Sequence, residues 1–373
     1  MRLARQCKRD GRDQTARLSR FFDQYRSGFD ALIATPRLQR LAGRRQFGER
    51  RLRVEDFGAS LIARPFPHTR LTHVQQAAAH ALVAGVILGL DTTSLKTLAC
   101  AALLHDVDHP AFSHTGDRWL VRVLGLPDHE ARACETVCTD VHIGRALQQL
   151  DVLPQDVAVV IREEGILGRI LSLVDTLAYV QLDGRILGIV RSRNLRLGID
   201  VLSNFVAVHA TGYEVRQMAP MQDVLNLRLQ LFNDLYDNVT SRISVAVAET
   251  LLDYAYKHGM ITEEDVRVLS CGAIEQRLRT ELSGRAGWLE SAMDILFCGW
   301  AEDGPWRLAV MDTEEELTGL LADNPRAFVS RPSSNRAKSY ACWYPGDVHR
   351  VLQARGQIAS SRSKILVVIY KGV

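Results

Sequence analysis

The run His105-Asp-Val-Asp-His-Pro-Ala-Phe-Ser-His114 brings three imidazoles and two carboxylates into ten residues. Its adjacent His105-Asp106 pair closes an apolar stretch that reads as a helix, Leu95 to Leu104. An imidazole and a carboxylate placed there can both reach one divalent ion, and the apolar helix fixes their position. Upstream, Thr69-Arg-Leu-Thr-His73 opens a helix with a histidine in its first turn. Downstream, Ile170-Leu-Ser-Leu-Val-Asp175 puts a carboxylate in an otherwise apolar helix face. An unpaired buried carboxylate is costly, so Asp175 needs a cation or strong donors. Two histidines and two aspartates from three helices make a mixed N/O site for Mn, Fe, Mg, Zn or Co. Alone, His73 would read as a satisfied core histidine and Asp175 as an arginine's partner. Their combination in order, with His109 one turn on, favours the metal.

The elements that must position these groups read as mostly helical. Apolar residues recur at helical spacing in Leu71–Leu90, Leu95–Leu104, Asp117–Leu124, His129–Leu150, Gln155–Glu163, Arg169–Leu187 and Met221–Lys257. Thr262-Glu-Glu-Asp265 has the pattern of a capping box. Phe205–Val215 alternates around Gly212 and reads as a hairpin, and the stretch from Lys364 to Tyr370 reads as a closing strand. The fold class expected is mainly α, a helical bundle with a smaller α+β C-terminal appendage. The polar stretch Ser330–Ser339, with Arg331, Pro332, Arg336 and Lys338, reads as a loop.

The 373 residues carry ordinary globular composition, 47% hydrophobic and 24% charged, which excludes collagen-like, low-complexity and wholly disordered chains. Net charge is +3, but Met1–Arg53 holds 15 Lys/Arg against 5 Asp/Glu. That basic end is a candidate nucleic-acid footprint, though no aromatic interleaving accompanies it. A positive approach field for nucleotide phosphates, or subunit contacts, explains it better. Seven cysteines without a CxxC pair read as reduced, buried thiols of a cytoplasmic protein. No apolar leader is visible, and the apolar stretch Ala77–Leu90 is too short to span a bilayer.

These motifs resemble those of the HD-domain metal-dependent phosphohydrolases, and in particular the deoxynucleoside triphosphate triphosphohydrolase branch. The matching segments are Thr35-Pro-Arg-Leu-Gln-Arg-Leu41, Arg45-Gln-Phe-Gly48, Pro67-His-Thr-Arg-Leu-Thr-His73, Leu104–His114, Asp128-His-Glu130 and Val174-Asp-Thr-Leu-Ala-Tyr179. The resemblance covers residues 30–190 well and 190–260 loosely. It implies His73, His105, Asp106 and Asp175 as ligands of one divalent metal ion. It matches His109, Asp117 and His129 to catalytic or phosphate-facing positions. Arg70 and His114 would face the phosphates, and Gln46, Tyr179 and Asp183 would line the sugar pocket. His129 is then placed to act as general acid toward the departing oxygen, or to hold the attacking water. Asp117 would orient it, and Arg70 can clamp phosphate oxygens bidentately. Simpler readings stand beside these: Asp117 as a favourable helix-start charge, His129 as a surface residue, Tyr179 as core packing. His68, His80 and His142 are assigned to structure or surface.

On this resemblance the expected organisation is a basic N-terminal segment packing on the core (1–55), an HD-domain catalytic core (56–200), a helical extension (201–285) and a small α+β region (286–373). The expected partner is a nucleotide substrate, with a homo-oligomer implied by the branch and no membrane. One departure is Asp108, where the family usually has a small residue. It adds negative charge beside the metal and could become a further ligand or reshape the phosphate subsite. Thr176 and Leu182 are neutral where some relatives carry a basic group. From the resemblance, hydrolysis of a (deoxy)nucleoside triphosphate to nucleoside and triphosphate is the leading expectation, while these departures suit a substrate with fewer phosphates. A phosphatase acting on a nucleoside monophosphate or a specialised nucleotide is the alternative. A non-catalytic HD scaffold that binds nucleotide or nucleic acid is a further one.

Overall fold

The chain opens on one long helix, α1 (Arg2–Ile33), which buries Phe21, Phe29 and Leu32 against the body. The structure is a computed structural model and describes residues 2–46, 51–52, 64–65, 68–186, 197–209, 211–285, 287–298, 306–324, 327–330, 339–343, 350–353 and 365–370. Arg331, Pro332, Arg336 and Lys338, read from the sequence as part of a loop, lie outside these residues, as do Phe47, Gly48, Pro67, Lys364 and Lys371.

After a short α2 (Pro36–Gln39), a 3-10 turn (Arg40–Gly43) and the paired strands β1 (Arg51–Leu52) and β2 (Arg64–Pro65), the body begins with α3 (Arg70–Ile87) and α4 (Thr92–Leu104). It continues through α5 (His114–Leu124), α6 (His129–Thr139), α7 (Val141–Gln149), α8 (Pro154–Ile161) and α9 (Gly165–Ile186). Side-chain caps set several starts: Thr69 accepts from Thr72 N, Asp91 from Ser94 N, Asp128 from Ala131 N. Each such cap contributes about 1 kcal/mol.

Next come α10 (Leu197–Leu202), the hairpin β3 (Phe205–His209) and β4 (Gly212–Val215), and α11 (Ala219–Leu231). A π-turn over Phe232–Tyr236 then leads into α12 (Val239–Lys257). The chain ends through α13 (Glu263–Val268), α14 (Cys271–Leu282), α15 (Gly287–Cys298), β5 (Trp306–Met311), α16 (Glu314–Asp323), β6 (Phe328–Ser330), β7 (Ser339–Trp343), β8 (Arg350–Gln353) and β9 (Ile365–Tyr370). One sheet has the order β3-β4-β7-β8, and another β5-β9-β6 with the closing strand at its centre. The fold is mainly α, as the periodicity indicates.

Two segments differ from the sequence reading. His129–Leu150 is two helices, because Asp140 ends the first and accepts from His142 N and Ile143 N to start the second. Met221–Lys257 is likewise interrupted, with Asn238 capping α12 by accepting from Ser241 N. The hairpin and the Thr262/Asp265 capping box form as expected. The thiols need a correction. Cys100, Cys134 and Cys271 are buried, but Cys138 and Cys298 are exposed.

The largest apolar cluster joins α1, α3, α4, α6, α7, α8, α9 and α11. Another joins Ala111, Phe112, Trp119 and Leu120 to α12, α14 and α15. The segment 105–124 therefore lies between them. Helix α9 is long and apolar enough to cross a membrane, yet Ile170, Leu173, Val174 and Leu177 are buried in the first cluster, which makes it a core helix.

His80 is structural. It is buried on α3, and a Cβ on Gly198 of α10 would come within 2.7 Å of its Nε2. Burial pushes its imidazole down to about 4. The unfolded chain keeps a histidine near 6.5, so this stability is complete above about pH 6.5 and is lost as pH falls toward 4, by up to about 3 kcal/mol. Denaturant midpoints measured from pH 7 to pH 4 should fall accordingly, and less steeply in His80→Gln. Equal slopes in the two proteins would contradict this.

Candidate functional site

Three elements bring the expected ligands together. The first turn of α3 carries Arg70 and His73, the C-terminal end of α4 carries His105 and Asp106, and the middle of α9 carries Asp175. Asp175 Oδ1 lies 2.9 Å from His73 Nε2 and 3.5 Å from His105 Nε2. Asp106 lies 3.7 Å from each histidine, through Oδ2 to His73 and Oδ1 to His105. One donor atom each from His73, His105 and Asp175 falls within 4.8 Å of the other two.

This donor set fits a divalent cation. His105 Nδ1 donates to the Ala102 carbonyl at 3.0 Å, which fixes the ring and turns Nε2 toward Asp106 and Asp175. Burial opposes a charge on His105, but Asp106 and Asp175 outweigh it and lift the imidazole to about 9. Burial also opposes ionisation of both aspartates. Arg70, His105 and His109 nevertheless hold Asp106 well below the usual carboxylate range, and hydrogen bonds from His105 and His73 do the same for Asp175. The field at this point calls for positive charge.

Beside it stand His109, His114 and His129. The His109 and His129 rings stack at 3.9 Å, and His114 meets His109 edge-on at 4.7 Å. Asp117 Oδ2 accepts from His129 Nδ1 at 2.9 Å, and its Oδ1 accepts from Arg132 at 2.7 Å. Asp117 thus orients His129, which a helix-start charge alone would not do. Burial and the cationic Arg70 push His109 well below the ordinary histidine value.

Arg70 Nη1 donates to Asp106 Oδ2 at 2.7 Å, and its Nε donates to Ser113 Oγ at 2.7 Å. The segment between Asp106 and His114 is backed by the C-terminal helices. Ala111 N donates to the Val266 carbonyl at 2.8 Å and Phe112 N to Cys271 Sγ at 3.4 Å. Phe112 and Ser113 are left-handed, with φ of 62° and 53°, a conformation costing a few kcal/mol that the surroundings must impose. At the start of α5, Gly116 has no alternative, because a Cβ there would sit 2.0 Å from the Ala111 carbonyl oxygen.

Asp108 stands two residues after Asp106. It is buried, and its Oδ1 lies 3.8 Å from Arg40 Nη2. Arg40 also donates to the Val107 carbonyl at 2.6 Å, and buried Arg44 donates to the carbonyls of His109 at 3.2 Å and Arg267 at 2.9 Å. These two arginines of the basic end therefore hold main-chain carbonyls, where the sequence reading assigned the excess to phosphates or subunit contacts.

The groups expected at the sugar also meet. Asp175, Tyr179 and Asp183 follow one another at four-residue spacing along α9, which puts them on one face. Asp183 Oδ1 lies 2.8 Å from His68 Nε2, and Gln46 N donates to the His68 carbonyl at 3.2 Å. Three residues here escaped the sequence reading. His68, set aside as structural or surface, pairs with Asp183. Tyr236 Oη donates to Asp183 Oδ2, and Arg228 Nε donates to Tyr179 Oη at 2.6 Å while lying over the Phe232 ring. The four-residue spacing of Arg228, Phe232 and Tyr236 was the available signal. His142 is exposed, as expected.

The arrangement of helices around this cluster is found in known proteins. Two solved structures share it: a phosphohydrolase of Bacteroides thetaiotaomicron (TM-score 0.65, 14% identity, covering 92% of this chain and 95% of that one), and a hypothetical protein from Aquifex aeolicus (TM-score 0.62, 18% identity, 92% of each). In sequence, the chain is similar to deoxyguanosinetriphosphate triphosphohydrolase-like proteins. The one from Cereibacter sphaeroides is 32% identical over 130 residues, 34% of this chain and 31% of that protein. The one from Bifidobacterium longum is 40% identical over 60 residues, 16% and 12% respectively. The matched region thus spans less than a third of these curated relatives. No family model matches the chain. The resemblance to HD-type phosphohydrolases therefore stands in both sequence and fold.

Proposed function

We propose that the chain is a metal-dependent nucleotide phosphohydrolase that cleaves a (deoxy)nucleoside triphosphate to nucleoside and triphosphate. The observation that carries the reading is the convergence of His73, His105, Asp106 and Asp175 beside the Asp117–His129 pair. When bound, a divalent ion supplies an acidified water and a Lewis acid for a phosphoryl oxygen.

The chain's own residues do the rest. His105 is held by the Ala102 carbonyl so that Nε2 faces the ligand set. Arg70, anchored by Ser113, offers a buried Nη2 to a phosphate oxygen. His129, held by Asp117 through Nδ1, delivers a proton through Nε2 to the departing oxygen or holds the water. Gln46, Tyr179 and Asp183 bind the sugar, with His68 and Tyr236 fixing the Asp183 carboxylate.

One observation favours the alternative, a phosphatase on a nucleoside monophosphate or specialised nucleotide. Among the described residues, arginines beside the cluster already hold other side chains, Arg132 with Asp117, Arg228 with Tyr179 and Arg70 through Nη1 with Asp106, which leaves Arg70 its Nη2 for a phosphate. A substrate with fewer phosphates needs fewer cations.

A panel of nucleoside mono-, di- and triphosphates with Mn, Mg, Co and Fe, read by chromatography, tests the reading. Triphosphate as product supports it, orthophosphate from a monophosphate supports the alternative, and no turnover of any nucleotide refutes both.

A further inference from the structure

The Asp117–His129 pair has a third member. Arg132 follows His129 one turn along α6, so the two share a face of that helix. The Arg132 side chain is 5% exposed, and its Nη2 donates to Asp117 Oδ1 at 2.7 Å. The other oxygen, Asp117 Oδ2, accepts from His129 Nδ1 at 2.9 Å. Both oxygens are thus gripped, and both grips come from α6. A carboxylate held at one oxygen swings about its Cβ–Cγ bond; held at both, it stays in plane. Burial opposes a charge on Asp117, but His129 and Arg132 hold its carboxyl below the ordinary value. Only the ionised group accepts at both oxygens.

The same guanidinium reaches two main-chain carbonyls. Its Nη1 donates to that of Pro127, in the linker leading into α6, and its Nη2 to that of Asp108 at 3.3 Å. Asp108 directly precedes His109, whose ring stacks on His129 at 3.9 Å. Arg132 therefore joins the segments that carry the Nδ1 partner and the stacking partner of His129. A planar fork of fixed donors suits this task, where an ammonium offers one point charge. The carbonyls flanking Asp108 have holders of their own, Arg40 on Val107 at 2.6 Å and Arg44 on His109 at 3.2 Å. The segment after α4 thus stays anchored without Arg132. What that side chain alone supplies, among the described arginines, is the pairing with Asp117.

We propose that Arg132 is a positioning residue for the hydrolytic step, acting through Asp117 to keep a proton on His129 Nδ1 and to aim Nε2 at the reacting oxygen. The inference rests on the phosphohydrolase reading for the step itself, and on the structure alone for the hold on the ring.

The test uses the full-length chain loaded with diamagnetic Zn(II) and labelled with nitrogen-15 at histidine. The Nδ1–H signal of His129 is recognised by its absence from His129→Ala. Wild type should protect this proton from exchange. In Arg132→Met it should exchange about 10-fold faster or more, as in Asp117→Asn. Arg132→Lys keeps the charge and carries the test should Arg132→Met not fold; its exchange should lie between the two. In kinetics, Arg132→Met should lower kcat about 10- to 100-fold with KM nearly unchanged. Added to Asp117→Asn, it should cost little more. An unchanged His129 signal in the Arg132 variants, losses that multiply with Asp117→Asn, or a loss confined to KM overturns the inference. Because the resonance readout needs no substrate, the two failures separate. Hydrolysis with an unaltered signal loses only the positioning role, and an altered signal in a protein that hydrolyses no nucleotide loses only the activity.

Discussion

Asp175→Ala is expected to abolish metal binding at the proposed site and to lower hydrolysis by roughly 10³-fold or more. The carboxylate stands between His73 and His105, and no other described acid is within hydrogen-bond distance of both rings. Its loss removes the only helix-borne anion that α9 contributes there. A Lewis acid is worth several kcal/mol to phosphoryl transfer, and about 4 kcal/mol corresponds to a factor of 10³. The fold should survive, because the Asp175 side chain is 30% exposed. Metal content of the purified variant, read beside its far-UV circular dichroism, checks the claim. Normal activity in a metal-free variant would contradict it.

His129→Ala should lower kcat on the order of 10²–10³-fold, the usual range for a positioned acid or base. Asp117→Asn keeps the shape of the partner but weakens its grip on the ring. The amide cannot accept from His129 and Arg132 as two carboxylate oxygens do. A smaller loss, about 10- to 100-fold, is expected there, as for other groups that orient a functional histidine. The pair should be strongly non-additive, so the double variant should be little worse than His129→Ala alone. If instead the two losses multiply, Asp117 acts independently and the pairing is incidental. Steady-state kinetics of the three variants decide it.

The meeting of these histidines and aspartates was legible in the sequence because residue type and order suffice there. An adjacent His-Asp pair closing an apolar helix has few structural uses, and an aspartate in the apolar face of α9 demands a partner. The hairpin and the final strand were legible for a similar local reason, two-residue alternation. The helix breaks were not. Apolar periodicity runs straight through Asp140 and Asn238, and only their capping geometry reveals the stop. The polar groups around Asp183 were hidden for another reason. His68, Arg228 and Tyr236 reach it and Tyr179 from far along the chain, and the four-residue spacing of Arg228, Phe232 and Tyr236 marks a shared face without naming what it meets. Arg40 and Arg44 looked like free positive charge, because sequence does not say that their donors end on carbonyls of residues 107, 109 and 267. The pairing of Asp108 with Arg40 is likewise invisible in the sequence, where Asp108 reads only as added negative charge beside the metal.

The central claim is that these histidines and aspartates make the chain a metal-dependent hydrolase of nucleotides. Its most direct test is phosphorus NMR of a deoxynucleoside triphosphate incubated with chelator-stripped protein, before and after addition of Mn(II). The account predicts an unchanged spectrum before addition and the resonances of free triphosphate after it. Hydrolysis that persists with chelator present, or an unchanged spectrum in the metal-loaded protein, would contradict it.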